Sequence, residues 1–578
     1  RNIGLGFVRL SIIDLTPAGN QPMFSHDRRY VIVYNGEIYN YIELRDELKS
    51  KGYLFRTNSD TEVLLASYTE WGEECLNKFN GMWAFVIYDR LDKKLFAARD
   101  RYGIKPFYYL QTSEFFVFSS EIPPLLSLLP GKPEPDYQSV FDYLVFNRTD
   151  HDENTFFKRV KKLQHGHKFL INLNFHTPRL IEGVKFLKWY DLRKQVSESK
   201  GFSSHEEFRQ LFSSSIGLRL RSDVPVGVCL SGGLDSSSIV SVLLEDYQKK
   251  DLNTFSAVYS RGETGDESEF IREYSGKVFQ MFYTTPSAET LYKDIPDFIR
   301  AHGEPVPSTS PYAQFKVMEL AKGNVVVTLD GQGADEELAG YHYFFGFYFR
   351  ELFTHLKWFH LIKEMSGYLK NHRSLLGLGT LGYFLLPSFL KIRTRVAEKG
   401  YLNTDFVNSY IDNNSVVSEL YSSGSLHEAL LDHFEYKLEH LLKWEDRNSM
   451  WFSLEARVPF LDYRLVEKTL ALPSENIIHN GMTKHYLREA MKVTLPEKIR
   501  MRKDKVGFET PQAEWFRKPF FQKCILDIIL SDSFRSRNLV DPVKAEKIYM
   551  RHLSGKTDAS KEIWKWINLE IWFRIFID

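Results

Sequence analysis

The chain has 578 residues, which at roughly 150 residues per domain suggests about four units, or two to three if large α/β domains are present. Lys plus Arg and Asp plus Glu each number 75, so the formal net charge is zero and a generally basic nucleic-acid binder is excluded, though not a local patch. The three cysteines, Cys75, Cys229 and Cys524, are odd in number and far apart, which excludes a disulfide framework and a CxxC zinc site and points to a reducing compartment.

No charged-then-apolar leader precedes the first strand-like run, so no secretory signal is expected. Residues 30–34 form a β-rich run, and Asn35-Gly36 after it reads as a turn. Residues 41–51 and 61–71 carry apolar residues at helical spacing. Residues 82–89 read as a buried strand, 94–100 as its neighbour, and 107–110 with 115–118 as a hairpin. The first part is therefore read as a mixed sheet with packed helices. A Pro-rich break follows at 129–135, then strand-like residues 168–172. Residues 193–204 are polar and linker-like, and the domain boundary is placed near 193–205.

The period then changes. Residues 226–230, 254–259 and 324–329 read as strands and 236–247 as a helix, an alternation that implies parallel βαβ units. Residues 341–442 are mainly helical and aromatic. The most apolar stretch, 375–390, is short and broken by glycines and Pro387, so it does not read as a membrane span.

The most informative segment is Ser231-Gly232-Gly233-Leu234-Asp235-Ser236-Ser237, which leaves a buried strand and opens into a helix. Glycines let backbone approach an anion, and helix-start N–H groups carry positive partial charge. Asp235 is out of place in an anion cradle unless it holds a Mg²⁺ shared with phosphates. No Gly-Lys-Ser/Thr follows, so this is not a Walker A loop. A second acidic, Gly-rich turn, Asp330-Gly331-Gln332-Gly333-Ala334-Asp335, also follows a buried strand. Ligands in open α/β sheets lie beyond the carboxyl ends of strands, so the two turns could face one nucleotide. An ordinary tight turn and a solvated acidic helix start are the structural alternatives.

These motifs resemble those of the glutamine-hydrolysing asparagine synthetase family. The second half is similar through SGGLDSS, LDGQGADE, residues 447–450 and 453–462, 481–490 and Lys505-Val506-Gly507-Phe508. The first half is similar through residues 9–14, Asn35-Gly36-Glu37-Ile38-Tyr39-Asn40, 59–62 and 98–106. The resemblance implies an α/β two-domain protein. Residues 1–192 would be an αββα glutaminase-like domain of the N-terminal-nucleophile type, 193–204 a linker, and 205–578 a parallel-sheet synthetase domain with a helical C-terminal part.

By the same resemblance, Arg9 would grip the glutamine α-carboxylate, and Asp60 with Glu37 its α-ammonium. Asn35 and the Gly36 N–H would form the oxyanion hole. ATP would be bound by Leu230, Ser231, Gly232, Gly233, Asp235, Ser236, Ala257, Asp330 and Gly331. Asp235 and Asp335 would bind Mg²⁺ through pyrophosphate. Lys484 would stabilise charge at the acyl-adenylate, with Arg457 and Lys505 as further contacts. The implied reaction is ATP-dependent amidation of L-aspartate through β-aspartyl-AMP, with ammonia delivered from glutamine through an internal channel. The resemblance further implies a cytoplasmic enzyme able to form a homodimer, with no nucleic-acid or membrane partner.

The chain departs from the family at Gln332, where Glu is common, and at Phe7-Val8, where His-Arg is common. The family's nucleophilic Cys is expected upstream of Arg1, so the sequence reads as N-terminally incomplete. A related amidotransferase acting on a sugar acid or peptide carboxylate, and a non-catalytic scaffold, are the competing readings.

Overall fold

The computed structural model describes residues 3–112, 114–173, 184–260, 262–503 and 509–578. Strands in the first part are β1 (Met23–Phe24), β2 (Tyr30–Ile38), β3 (Gly81–Asp89), β4 (Lys94–Arg99), β5 (Tyr108–Gln111), β6 (Phe116–Ser119), β7 (Val160–Lys162), β8 (His167–Asn172) and β9 (Phe186–Lys188). They form a six-stranded sheet, β1-β2-β3-β4-β8-β9, and a three-stranded sheet, β6-β5-β7, both antiparallel throughout and not mixed, because in most pairs the chain returns beside the strand just before it.

Period-two alternation decides which residues meet which layer. Ile32 and Tyr34 of β2 and Trp83, Phe85 and Ile87 of β3 face the helices Tyr41–Ser50 and Asp60–Trp71, where Leu44, Leu48, Val63 and Leu64 close the core. Val33, Ala84 and Val86 point the other way and pack with Phe107, Tyr109 and Phe169. Helix Tyr137–Phe146 adds Val140, Phe141 and Leu144 to the main core shared with the second half of the chain.

Asn35-Gly36 is not a turn. Both lie inside β2, with Asn35 opposite Ala84 and Gly36 opposite Trp83. The glycine is required by close approach: its φ is 148°, and an added Cβ would lie 2.0 Å from the Met82 carbonyl oxygen. The polar segment 193–204, expected as a linker, is helical over its first part: helix Leu192–Glu198 starts one residue before it, capped by the Asp191 side chain on the Lys194 N–H, with Leu192 and Val196 buried.

The second part holds β10 (Val226–Cys229), β11 (Asn253–Ala257), β12 (Gln280–Thr284), β13 (Val327–Leu329) and β14 (Glu455–Arg457). All pairs are parallel, in the order β12-β11-β10-β13-β14. The connections run outward to opposite sides from β10, so the crevice between the ends of β10 and β13 is the topological switch point. Helices dominate the rest, including Phe344–Thr354, Trp358–His372, Leu438–Trp451 and Ser560–Phe576. Among the described residues no helix is long and apolar enough to cross a membrane.

Candidate active site

The turn after β10 is tied to its neighbour strand at its first residue. The Leu230 N–H donates to the Phe255 carbonyl (2.9 Å), and the Ser256 hydroxyl donates to the Leu230 carbonyl (2.6 Å). Leu230 and Ala257 thus stand at the carboxyl ends of adjacent parallel strands. Gly232 has φ 77°, and a Cβ there would lie 2.9 Å from the Phe270 Cβ. The Ser236 hydroxyl accepts from the Ser231 N–H (3.2 Å), and the Ser231 hydroxyl from the Gly233 N–H (3.3 Å). Helix Leu234–Glu245 then begins at Gly233 with no side chain capping its first amides. Those amides make an anion-binding end.

The second turn, after β13, lies directly on the first. A Cβ on Gly331 would sit 2.9 Å from the Asp235 Cβ and 3.3 Å from the Ser236 nitrogen. Asp335 is in the first turn of the short helix Ala334–Glu337. Lys484 reaches both turns from a third element: it precedes helix His485–Ala490 with φ 56°, and its N–H donates to the Leu338 carbonyl (3.1 Å). Its Nζ lies 2.5 and 2.6 Å from the Asp235 carboxylate oxygens and 2.6 Å from Asp335 Oδ1. Burial lowers the Lys484 pKa, and the Asp235 carboxylate opposes that shift. Gly340 makes room for the contact, since a Cβ there would be 1.7 Å from Asp335 Oδ1 and 2.6 Å from Lys484 Cε.

Ser231, Gly233, Asp235, Gly340 and Lys484 line a cleft of about 80 Å³ together with His342, His372, Arg488 and Arg502. Burial brings the Arg488 guanidinium down to about 10, with Arg500 and Arg502 adding to the shift and Asp235 opposing it. Arg502 pairs with Glu267 (2.5 Å) and donates to the Gly232 carbonyl (3.2 Å). The cleft therefore combines an amide-lined anion cradle, two carboxylates and three buried cations. Gly340, Arg488 and Arg502 carry no motif signature of their own in the sequence. Arg488 does sit in the 481–490 motif, and Gly340 follows the second acidic turn, so proximity to those motifs was the available signal.

Asp330 sits deeper than its neighbours. Its N–H donates to the Arg457 carbonyl (2.9 Å), and its carboxyl accepts from Thr328 (3.2 Å). Burial pushes that carboxyl up to about 6. Arg457 does not face the cleft. It is fully buried, binds Glu455 (2.7 Å) and the Arg219 and Arg221 carbonyls (2.9 and 2.7 Å), and approaches Glu37 (3.8 Å). Lys505 and residues 506–508 lie outside the described residues.

The first part gathers a second set of groups. Asp60, at the start of its helix, accepts from the Ile38 N–H and the Tyr34 hydroxyl, both at 2.9 Å. Burial raises it to about 6 against those hydrogen bonds, and burial also raises Glu37, one strand position before Ile38. Asn35, Gly36 and Glu37 are consecutive along β2. Arg9 is turned onto its own loop, donating to the carbonyls of Thr16 (2.7 Å), Ile13 (3.2 Å) and Asp14, and to Asn20 Oδ1 (3.1 Å). That loop is tied toward Asp60 by the Asn58 N–H on the Asp14 carboxylate (2.8 Å) and by Gln21 Nε2 on the Tyr34 carbonyl (3.1 Å).

Helix Leu438–Trp451 stands between the two parts and carries buried charge. Glu439 meets Arg99 (2.6 Å) and Lys162 (3.1 Å), Lys443 meets Asp150 (2.5 Å) and Glu304 (2.9 Å), and Asp446 meets Lys105 (3.1 Å). Buried pairs of this kind cost desolvation and tolerate loss of a partner badly, so they hold a defined orientation.

A family model described as asparagine synthase matches residues 207–574, and one described as a glutamine amidotransferase domain matches residues 1–179. Asparagine synthetase (glutamine-hydrolyzing) 1 of Bacillus subtilis (strain 168) is 32% identical, covering 100% of this chain and 90% of that protein. Asparagine synthetase (glutamine-hydrolyzing) 3 of the same organism is 29% identical over 86% of this chain and 78% of its own length. A putative asparagine synthetase (glutamine-hydrolyzing) 2 of Methanocaldococcus jannaschii is 34% identical over 59% of this chain and 67% of its own. With both halves matched, in order, over the whole described architecture, the chain belongs to the glutamine-hydrolysing asparagine synthetase family of carbon–nitrogen ligases.

Proposed function

We propose that the protein amidates L-aspartate at the expense of ATP, through β-aspartyl-AMP, with nitrogen supplied as ammonia from glutamine. The observation that carries this reading is Lys484 bridging Asp235 and Asp335 at the switch point, beside the uncapped start of helix Leu234–Glu245. A carboxylate is a poor electrophile at neutral pH. Attack of the aspartate side chain on the α-phosphorus expels pyrophosphate and leaves an acyl phosphate ester that ammonia can open, releasing AMP. The cradle of Ser231, Gly232, Gly233 and Ser236 would take the departing pyrophosphate, and Leu230 and Ala257, with Gly331 and the Asp330 backbone, would flank the nucleoside. Lys484, Arg488 and Arg502 would offset charge that develops on the phosphates.

Two hard carboxylate oxygens converging on one cation suit Mg²⁺, which binds through one or two carboxylates plus phosphate oxygens and water. Among the described residues no group of three or more His, Cys, Asp or Glu could cage a metal alone. Asp235 and Asp335 would therefore hold Mg²⁺ only together with the phosphates, where it would supply further charge neutralisation. On the glutamine side, Asp60 and Glu37 would hold the α-ammonium, Arg9 the α-carboxylate, and Asn35 and the Gly36 N–H the oxyanion.

The test is formation of AMP and asparagine from ATP, magnesium, L-aspartate and ammonium. AMP without preference for aspartate, followed by a stronger pyrophosphate-release signal with a sugar acid or peptide carboxylate, would move the acceptor assignment. No AMP at any ammonium level would remove the reading.

A further inference from the structure

Helix Trp358–His372 has two apolar faces. The inner one is accounted for: Leu361 and Tyr368 are buried, and the buried Glu364 carboxylate accepts from the Asn480 and Gly481 N–H groups (3.0 and 2.9 Å). The Tyr368 hydroxyl accepts from the Gly377 N–H (3.0 Å). The helix is thus fixed to the body, and its orientation is not open to choice.

The outer face carries Trp358, Phe359, Ile362 and Leu369, with Leu356 just before the helix. Phe359 is 80% exposed, Ile362 69% and Leu356 69%. Lys363 and Lys370, two helical turns apart, fall on the same arc as Phe359, Ile362 and Leu369, while Lys357 and Arg373 flank the helix at its two ends. Leu375 and Leu376 extend the apolar surface past the helix end, at 70% and 59% exposure. Between Glu351 and Glu398 the sequence contains one carboxylate, Glu364, and that one faces inward. Scattered exposed apolar residues are ordinary, but a helix face that mixes Trp, Phe and Ile with Lys and Arg and no exposed acid is the pattern of an interfacial helix.

We propose that this face docks the protein on an anionic phospholipid surface. The aromatic and aliphatic side chains would enter the headgroup–acyl boundary while the lysine and arginine stems reach back to phosphate. Charge selects this occupant over a second copy of the chain, because pairing the face with itself would set cations against cations. With 15 residues, the helix lies on the surface and does not cross it. The helix ends at His372, which lines the nucleotide-side cleft and donates from its ring to the Gly481 carbonyl (2.9 Å). Docking would therefore set the cleft beside the lipid. This departs from the expectation of no membrane partner and is independent of which carboxylate is amidated.

The full chain is sedimented with phosphatidylcholine vesicles, with and without phosphatidylglycerol, beside two double variants, Phe359→Ser with Ile362→Ser and Lys363→Glu with Lys370→Glu. Binding is expected only to the phosphatidylglycerol vesicles, weakened by salt, and at least about tenfold weaker in either variant. Pyrophosphate release in lipid-free solution should be unchanged in both, which shows that they fold. Lack of binding to the anionic vesicles, or equal binding to the neutral ones, would overturn the proposal. So would wild-type self-association that the Phe359→Ser, Ile362→Ser variant abolishes, which would assign the face to a second copy.

Discussion

The ammonium of Lys484 grips both oxygens of Asp235, at 2.5 and 2.6 Å, although the two residues are 249 positions apart. The same nitrogen holds Asp335. One buried cation therefore fixes the spacing of two carboxylates that come from separate strand ends, and any change to it acts on both chemistry and packing.

Lys484→Met should abolish pyrophosphate release. It should also cost stability, about 1–3 kcal/mol, because two close carboxylates lose their hydrogen-bonded counter-charge. Asp235→Ala should likewise abolish adenylation, but it is not expected to be silent for folding, since it leaves Lys484 buried with only one of its two carboxylate partners. Magnesium pyrophosphate should raise the melting temperature of the wild type and not that of Asp235→Ala. An equal rise in both would remove Asp235 from the magnesium site.

Gly340→Ala tests the same contact without altering a charge. Its Cβ would overlap Asp335 Oδ1 and crowd Lys484 Cε, neither of which can retreat without breaking the bridge. The turnover number for pyrophosphate release should fall by a hundredfold or more, about 3 kcal/mol of transition-state stabilisation, while far-ultraviolet circular dichroism stays unchanged. Activity within a few-fold of wild type would mean that the bridge is not needed for the reaction.

Much of this site was readable from local pattern. A strand, a Ser/Gly turn and a helix in immediate succession need no distant information, and the SGGLDSS turn formed as the spacing predicts. Local signal and structure part where tertiary context overrules the local preference. Asn35-Gly36 has the strongest short turn signature in the first part, yet β3 offers nine paired positions and holds the dipeptide in the sheet. Residues 193–204 are polar, yet Leu192 and Val196 are spaced to bury one side of a helix against Tyr463–Leu470. Arg457 lies in a motif that resembles a phosphate contact, but its strand position, opposite Leu329, carries it into the buried layer beside Glu37. No pattern within a single element announces that Gly340 abuts Lys484, because that contact closes between distant segments.

The buried charge between the two parts gives a separable prediction. Lys105 and Asp446 are both nearly inaccessible and 3.1 Å apart. Lys105→Met alone should destabilise by about 3–5 kcal/mol because Asp446 keeps its charge in a dry layer. Adding Asp446→Leu should return most of that loss, since an apolar pair is tolerated where an unpaired charge is not. A denaturant double-mutant cycle measures the coupling. If the double variant is no more stable than Lys105→Met, the pair is not energetically linked.

Asp60 supplies a pH test with a defined sign. Burial raises its folded-state pKa to about 6 from an ordinary 3.8, so the native chain keeps this proton after the unfolded chain has released it. Between those values the native state binds more protons, and stability must fall as pH rises, by roughly 2–3 kcal/mol in total from this group. Asp60→Asn cannot ionise, yet its side-chain oxygen can still accept from the Ile38 N–H and the Tyr34 hydroxyl. Wild type and variant should therefore melt together near pH 4, and the variant should melt higher above about pH 6. Glutamine should raise the wild-type melting temperature at pH 7.5 and leave the variant unmoved, because the charge that would bind its α-ammonium is gone. A melting difference that does not change with pH would show that Asp60 is not held in this buried, proton-retaining state; a glutamine response in the variant would move the ammonium contact to Glu37 alone.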